Sequence, residues 1–468
     1  MKNNIIMNLV LLPLVAMLSA CTAEIAEKQQ TPVGEDVVTA NGSGVKTMLD
    51  GTKVLWSSGD EMSVLSSTGN GEFILAEGAG TAKGTFKGTL PGSGPYYALY
   101  PYDASSVIEG SALKFPVARK QTYAYNSFGP GSYPVYGKLG EDHSTDLKNL
   151  FGSLCLAYTG NFSVSRIVLK DLAGAGLWGT ASLTLDDKAG GDGQTLTLSG
   201  GSDTVELECG NGVDVESTDT PTYFYISLPA GSLSQGFAVT LYDGDAEIGT
   251  LTSAKPHTIA RNTISMMPPV LFRKDLGIAE TANSYIVGGT GSYKFKAVKG
   301  NSDEALAGVA SAATVWEMVN TKTAPSVGSI VKNVSYEGGY VLFDATGTAG
   351  NALIAVRNAS GDILWSWHIW VPKTKVRTLV YSSLNPGGVM DRNLGALDAD
   401  DRTGLENGML YQWGRKDPFP GNANHSAGVV MKATANINKE TTSETVGTVD
   451  YATKHPTTFI VGPKIDNV

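Results

Sequence analysis

Charge is scarce in this chain. Asp, Glu, Lys and Arg make up 17% of its 468 residues, against roughly 25% in ordinary globular domains. What charge there is leans acidic: 45 Asp and Glu stand against 35 Lys and Arg, a formal net of −10. A nucleic-acid binder needs a basic patch, so the balance speaks against that class of partner. Histidine is equally sparse. Its five copies (143, 257, 368, 425 and 455) are far apart, which speaks against a His-rich metal site. Neither G-x-S-x-G nor H-E-x-x-H occurs, and no stretch assembles a nucleophile with a base. The expectation is a protein that is not an enzyme and has no cofactor. Helical spacing is missing too: the apolar runs between Thr52 and Pro101 lack the i, i+3, i+4, i+7 pattern.

Glycine, by contrast, is abundant at 56 residues, with 20 prolines. Short apolar runs separated by Gly-rich turns describe many short strands, and the expected fold class is all-β. Val54-Leu55-Trp56, the turn Ser57-Ser58-Gly59-Asp60 and then Met62, Val64 and Leu65 set the style. In a second block the alternation is strict. Leu154, Leu156 and Tyr158 share a face, as do Leu183 with Leu185, Leu196 with Leu198, and Val205, Leu207 with Cys209. Such alternation puts one face in a core and the other in water. Cys155 lies opposite its leucine neighbours while Cys209 shares theirs, which disfavours a disulfide between them.

The first residues read as a leader. Lys2 precedes an apolar run from Leu9 to Leu18 that is broken by Pro13. That run is too short to cross a bilayer, and small residues follow it, as in a secretory signal peptide. Leu18-Ser19-Ala20-Cys21 resembles the lipobox of bacterial lipoproteins. The resemblance implies cleavage before Cys21, lipid on that cysteine and insertion in a membrane leaflet, where several acyl chains anchor stably. Thr22, not Asp, follows, so inner-membrane retention is not indicated and the expected location is the outer membrane, exposed at the cell surface. Residues 1–20 are then the signal peptide and 21–46 a polar, lipidated tether, with Val37 to Leu49, across its end, readable also as a first, weakly held strand.

From about residue 40 to 270 a second resemblance appears. Trp56-Ser57-Ser58-Gly59-Asp60, Ala98-Leu99-Tyr100-Pro101, Phe115-Pro116 with Gln121, Ile226-Ser227-Leu228-Pro229 and Ala260-Arg261-Asn262 occur in the order seen in Bacteroidetes-type fimbrillins. The resemblance implies two transthyretin-like or Ig-like β-sandwiches, 47–145 and 146–270. It also implies assembly with other fimbrial subunits by donor-strand exchange, in which a protease removes the first strand and a neighbour's strand takes its place. The sequence departs from that pattern in one respect. Its first arginine is Arg119, so Lys46 is the candidate cleavage site and Lys53 the only other basic residue nearby.

Pro268-Pro269 reads as a linker, and 271–372 as a third sandwich ending in Ile363-Leu364-Trp365-Ser366-Trp367-His368-Ile369-Trp370. Strand geometry points Trp365, Trp367 and Ile369 one way and Ser366, His368 and Trp370 the other. Aromatics on both faces suit a buried central strand or a sandwich whose outer face meets another domain. The competing reading is an aromatic platform on which Trp365, Trp367, Trp370 and Trp413 contact a ligand. In the last block, 373–468, Met390-Asp391-Arg392-Asn393-Leu394-Gly395-Ala396 and Tyr411-Gln412-Trp413-Gly414-Arg415-Lys416-Asp417-Pro418-Phe419-Pro420 resemble signatures of the Fibrobacter succinogenes major paralogous-type domain. That loop-rich domain normally continues well beyond a point like Pro456-Thr457-Thr458-Phe459-Ile460, and with the sequence stopping at Val468 a truncated or incomplete copy is expected. Asp391 and Arg392 read as a structural ion pair. Asp398, Asp400 and Asp401, with Glu406, form an acidic loop that is a weak calcium candidate and departs from the EF-hand pattern at Arg402 and Thr403.

These features predict a fimbrillin-type surface lipoprotein, an accessory or tip-like subunit in cell adhesion or pilus assembly. Its partners would be outer-membrane lipid through Cys21, other fimbrial subunits and a host or microbial surface glycan or protein. The alternative is a glycan-binding lipoprotein of a nutrient-uptake system.

Overall fold

A computed structural model describes residues 35–42, 49–50, 53–185, 195–380, 388–399, 404–424 and 429–462. Cys21, Lys46, Asp400, Asp401 and the two ends of the sequence lie outside the described residues. The chain is all-β, a succession of stacked sheets with, among the described residues, one short helix at Val449–Lys454.

The first unit is a sheet that closes on itself. Its strands run in the order Asp36–Asn41, Lys83–Gly88, Gly69–Glu77, Glu61–Ser66, Tyr97–Tyr100 and Val135–Lys138. Residues 144–149 join the two ends. Ser144–Asp146 lies parallel to Asp36–Asn41, and Lys148–Asn149 lies antiparallel to Val135–Lys138. Inside sit Val38, Ala40, Met62, Val64, Phe73 and Phe86, all fully buried. Asp36–Asn41 falls within the segment read from sequence as tether. It is paired on both sides, because Val38 and Ala40 alternate inward and its backbone finds partners on each flank.

The sequence motifs meet in this core. Trp56 packs edge-on against Phe86 and Tyr100, with centroids 4.9 and 5.4 Å apart. The Tyr100 hydroxyl donates to Asp60 Oδ1 at 2.9 Å, and the Ser57 amide donates to Asp60 Oδ2 at 2.7 Å. Gly59, at φ +85°, makes the turn that brings Asp60 under Trp56. Burial raises the Asp60 carboxyl above its ordinary value despite these two donors.

Residues 107–122 leave the first unit. Ala112–Val117 pairs with Gly179–Thr184, and Lys120–Thr122 lies parallel to Glu206–Glu208. The small sheet so formed covers the outer face of the barrel, where Leu65, Leu99 and Tyr136 meet Leu113, Phe115 and Leu183. Beyond it lies the second sandwich. One layer orders Lys120–Thr122, Thr204–Val215, Phe162–Asp171, Phe237–Asp243 and Ala246–Ser253; the facing layer centres on Phe151–Thr159. Leu154, Leu156 and Tyr158 point into its core as their alternation requires. Gln121 is buried between the units. Its side chain donates to the Ser227 carbonyl at 2.7 Å and accepts from the Ser227 amide at 2.9 Å, imitating a strand neighbour. Cys155 and Cys209 are both buried free thiols, in keeping with their opposite faces.

The third sandwich stacks a sheet built on Gly291–Lys296, Val331–Glu337 and Tyr340–Ala345 against one built on Ser311–Met318, Gly350–Arg357 and Ile363–Val371. Trp367, Ile369, Phe295 and Phe343 fill the space between them. The other face of the second sheet is also covered. Trp316, Met318 and Leu353 pack beneath Met409 and Met431 of the last segment. Glu317, fully buried in that sheet, accepts from four consecutive amides. Gly328 and Ser329 bond one carboxylate oxygen at 2.7 and 3.1 Å, and Ile330 and Val331 bond the other at 3.1 and 2.7 Å.

Candidate functional site

The last segment is pinned to the third sandwich by side chains that the period-two pattern turns outward. His368 Nε2 bonds Asn351 Oδ1 at 2.8 Å, its Nδ1 bonds the Ser284 hydroxyl at 2.9 Å, and Asn351 Nδ2 donates to the Gly395 carbonyl at 2.9 Å. Burial pushes the His368 imidazole down to about 3, so the ring is neutral with both nitrogens engaged. The Trp370 indole donates to the Ala396 carbonyl at 3.1 Å. Arg392 and Asp391, with side chains 2% and 3% exposed, form the expected structural pair. Arg392 also reaches the carbonyls of Thr374, Lys375 and Leu397, and its guanidinium holds the Asp391 carboxyl well below the usual range.

Where this segment meets the end of Ile363–Val371, a cleft of about 480 Å³ opens. Its base is the half-buried Trp365, whose indole donates to Asn283 Oδ1 at 3.1 Å. The ammonium groups of Lys416 and Lys299 lie over its ring, 4.4 and 5.4 Å from the centroid. Lys416 donates to the Ser366 carbonyl and hydroxyl and to Asp417 Oδ1, while the Ser366 hydroxyl donates to Asp417 Oδ2 at 2.9 Å. Burial lowers the Lys416 ammonium, and Asp417 opposes the shift. At the rim stands Trp413, 99% exposed.

The backbone under Trp413 is anchored from both sides. Gln412 exchanges two hydrogen bonds with Ile460, donating at 2.6 Å and accepting at 3.2 Å. Arg415 donates to the carbonyls of Thr458, Ala452 and His455, which ties down the end of the helix Val449–Lys454 and the strand Thr458–Val461. Gly414, at φ +79°, turns the chain between these anchors. The distinctive run Tyr411–Pro420 is thus mostly architectural, with Trp413 the large side chain it turns furthest into water. The sequence placed Trp413 beside the other tryptophans, but the anchoring roles of Gln412 and Arg415 depend on residues 37 to 48 positions away and carried no local signal.

Of the four tryptophans expected at a ligand, the structure brings two together. Trp365 and Trp413 line the cleft. Trp367 and Trp370 do not: both are fully buried, Trp367 in the sandwich core and Trp370 beneath the last segment. Alternation along the strand sends them to opposite faces, and each face is covered. In the acidic loop, Asp398 accepts from the Ala399 amide at 2.8 Å and Glu406 from the Gly404 amide at 2.8 Å. Among the described residues no group of three or more His, Cys, Asp or Glu could hold a metal ion.

No family model matches the chain, and no curated protein matches it. Among solved structures, a protein regarded as a cell adhesion protein of Bacteroides ovatus is 11% identical at a TM-score of 0.29, over 48% of this chain and 89% of its own. A counterpart of Bacteroides fragilis is 7% identical at 0.24, over 49% and 91%. A fimbrial protein of Bacteroides ovatus is 9% identical at 0.20, over 53% and 51%. At such overlaps the likeness carries no argument, and the chain's own geometry must supply one.

Proposed function

We propose that this chain is a cell-surface lipoprotein, anchored in the outer membrane through Cys21, that serves as an accessory or tip-like subunit in adhesion or pilus assembly, with a binding rather than a catalytic role. The observation that carries the reading is the continuous junction after the second sandwich. Its last edge segment, Ile264–Met266 and Val270–Leu271, lies along Phe151–Thr159. The chain then runs straight on: Phe272 is buried in the second core, and Arg273 donates to Asp344 of the third sandwich at 2.9 Å. A strand held in this way is not free to be donated to a neighbour. The barrel, in contrast, holds a strand that could be exchanged. Withdrawal of Asp36–Asn41 from between its two neighbours, which needs no cleavage and leaves Cys21 attached, would vacate a slot lined by Phe86 and shaped for small apolar residues at alternate positions. The chain would therefore accept a strand and not give one, as befits the end of an assembly.

Two measurements test this. Intact mass and N-terminal state of the native protein should show a lipidated Cys21; a start at Thr47 or Met48 would move the leading function to pilus assembly. Purified chain trimmed near Lys46 should remain unpolymerised by electron microscopy, and filaments of this chain alone would refute the terminal role.

A further inference from the structure

Trp413 is held out into water rather than left there by a loose loop. Its neighbours Gln412 and Arg415 are fixed by five hydrogen bonds to the Ala452–Ile460 region, yet the indole itself is 99% exposed. The backbone that presents this large ring is therefore ordered before a ligand arrives, and binding has only the side chain's own rotamers left to fix.

The polar groups beside it are one-sided. Asn283 lines the cleft, and its Nδ2 makes no hydrogen bond among the described residues. Lys299 is not part of that lining, but its exposed ammonium reaches over the ring of Trp365, which is. Asn283 Oδ1 is occupied by the Trp365 indole and the Gly300 amide. Asp417, the carboxylate lining the cleft, is taken up by Lys416 and Ser366. Arg415 and Lys416 outnumber it in charge along the lining, and Lys299 adds a further ammonium over the Trp365 ring. A matching ligand must offer a flat apolar face together with acceptor atoms, preferably anionic. A pyranose ring bearing a carboxylate or sulfate combines the two. Its C–H face can lie on the indole while its anionic group accepts from ammonium and amide. A neutral sugar meets only the first demand, and a bare anion only the second.

We propose that the cleft binds an acidic saccharide, with Trp413 as the stacking platform and Lys299 and Asn283 as donors to the anionic group. This rests on the adhesion reading above and gives it a ligand class. The test titrates the full chain with oligogalacturonate, a sulfated heparin-derived oligosaccharide and neutral maltohexaose, read by tryptophan fluorescence and calorimetry. At least one acidic probe should bind 10-fold or more tighter than the neutral one, and comparison of the two distinguishes carboxylate from sulfate. Trp413→Ala should weaken binding at least 10-fold with an unchanged thermal melt. Lys299→Ala should bring the acidic-to-neutral preference below 3-fold, and Lys299→Arg should keep it. Absence of millimolar binding to any probe, equal affinity for acidic and neutral sugars, or indifference to Trp413→Ala would overturn the proposal. Cell attachment separates this from its parent reading. Attachment that is lost on Trp413→Ala but not competed by acidic sugars overturns the saccharide and keeps adhesion. Absence of attachment by displaying cells overturns adhesion itself.

Discussion

Replacing Glu317 by Gln should unfold the third sandwich far more easily than its conservative chemistry suggests. The Glu317 carboxylate is fully buried and accepts two backbone amides on each oxygen, from Gly328 through Val331. Hydrogen bonds to a charged group contribute roughly 1.5–3 kcal/mol each, and an orphaned buried donor costs about 1–3 kcal/mol. These terms do not add fully. Glutamine keeps the shape and one accepting oxygen but turns its NH2 group toward two amide donors, so a loss of about 2–3 kcal/mol is expected. Glu317→Ala abandons all four amides and should lose about 3–5 kcal/mol. For a unit of this size, 2 kcal/mol corresponds to a melting shift of roughly 8–16 °C. The assay is urea unfolding followed by tryptophan fluorescence, since Trp316 and Trp367 lie in this unit's packing and Trp370 is fully buried on its strand Ile363–Val371. Hydrogen exchange at Gly328–Val331 should quicken in step. A Gln variant within 0.5 kcal/mol of the parent, with those amides still protected, would refute the reasoning that charge holds this loop.

Three further outcomes follow from the same geometry. His368 falls from 6.5 to about 3 on folding, so the native state refuses a proton that the unfolded chain accepts. The associated stability is full above pH 6.5 and is lost as pH falls toward 3, about 2 kcal/mol of it between pH 6.5 and 5; unfolding midpoints of parent and His368→Gln at those two pH values should differ in slope, and parallel slopes would sink the assignment. Trp367→Ala should cost about 3–5 kcal/mol as a cavity in the core, whereas Trp413→Ala should stay within about 0.5 kcal/mol, so equal melting shifts for the pair would contradict their placement. Burial pushes the Cys155 thiol to about 11 and the Cys209 thiol to about 12; iodoacetamide at pH 8 should leave both unmodified in the folded chain and label both in denaturant, and native labelling read by mass would refute the burial.

The sequence reveals the local half of this fold. Alternation at Leu154, Leu156 and Tyr158 declared its buried face, and along Trp365–Trp370 the period of two assigned each side chain to its true side. What it could not declare was which faces would find a cover. Trp370 looks as available as Trp413 until the last segment is laid over it. Barrel closure was hidden because residues 144–149 are too short and too polar to read as two strands, and each half pairs with a segment in a different direction. The move of Ala112–Val117 to Gly179–Thr184 is a pairing across about 65 positions, and nothing in either strand names its partner. Glu317 escaped notice because it sits between Trp316 and Met318, where a lone acid in an apolar strand looks like a solvent-facing position. The turn signal at Ser57–Asp60 was legible, while its bond to the Tyr100 hydroxyl was not.

The two-sided seating of Asp36–Asn41 has a mechanical consequence. This strand is the first described part of the chain after the proposed membrane attachment, so any drag on the cell-distal end would be borne through it. An edge strand peels, one bond after another. Asp36–Asn41 is laddered along its length to Lys83–Gly88 on one flank and, over Thr39, Ala40 and Asn41, to Ser144–Asp146 on the other, so tension along its axis shears both ladders together. Resistance to such a pull is set by the unfolding rate rather than by equilibrium stability. The closed hoop is therefore suited to act as a rivet, tight under load even if the chain as a whole is only modestly stable.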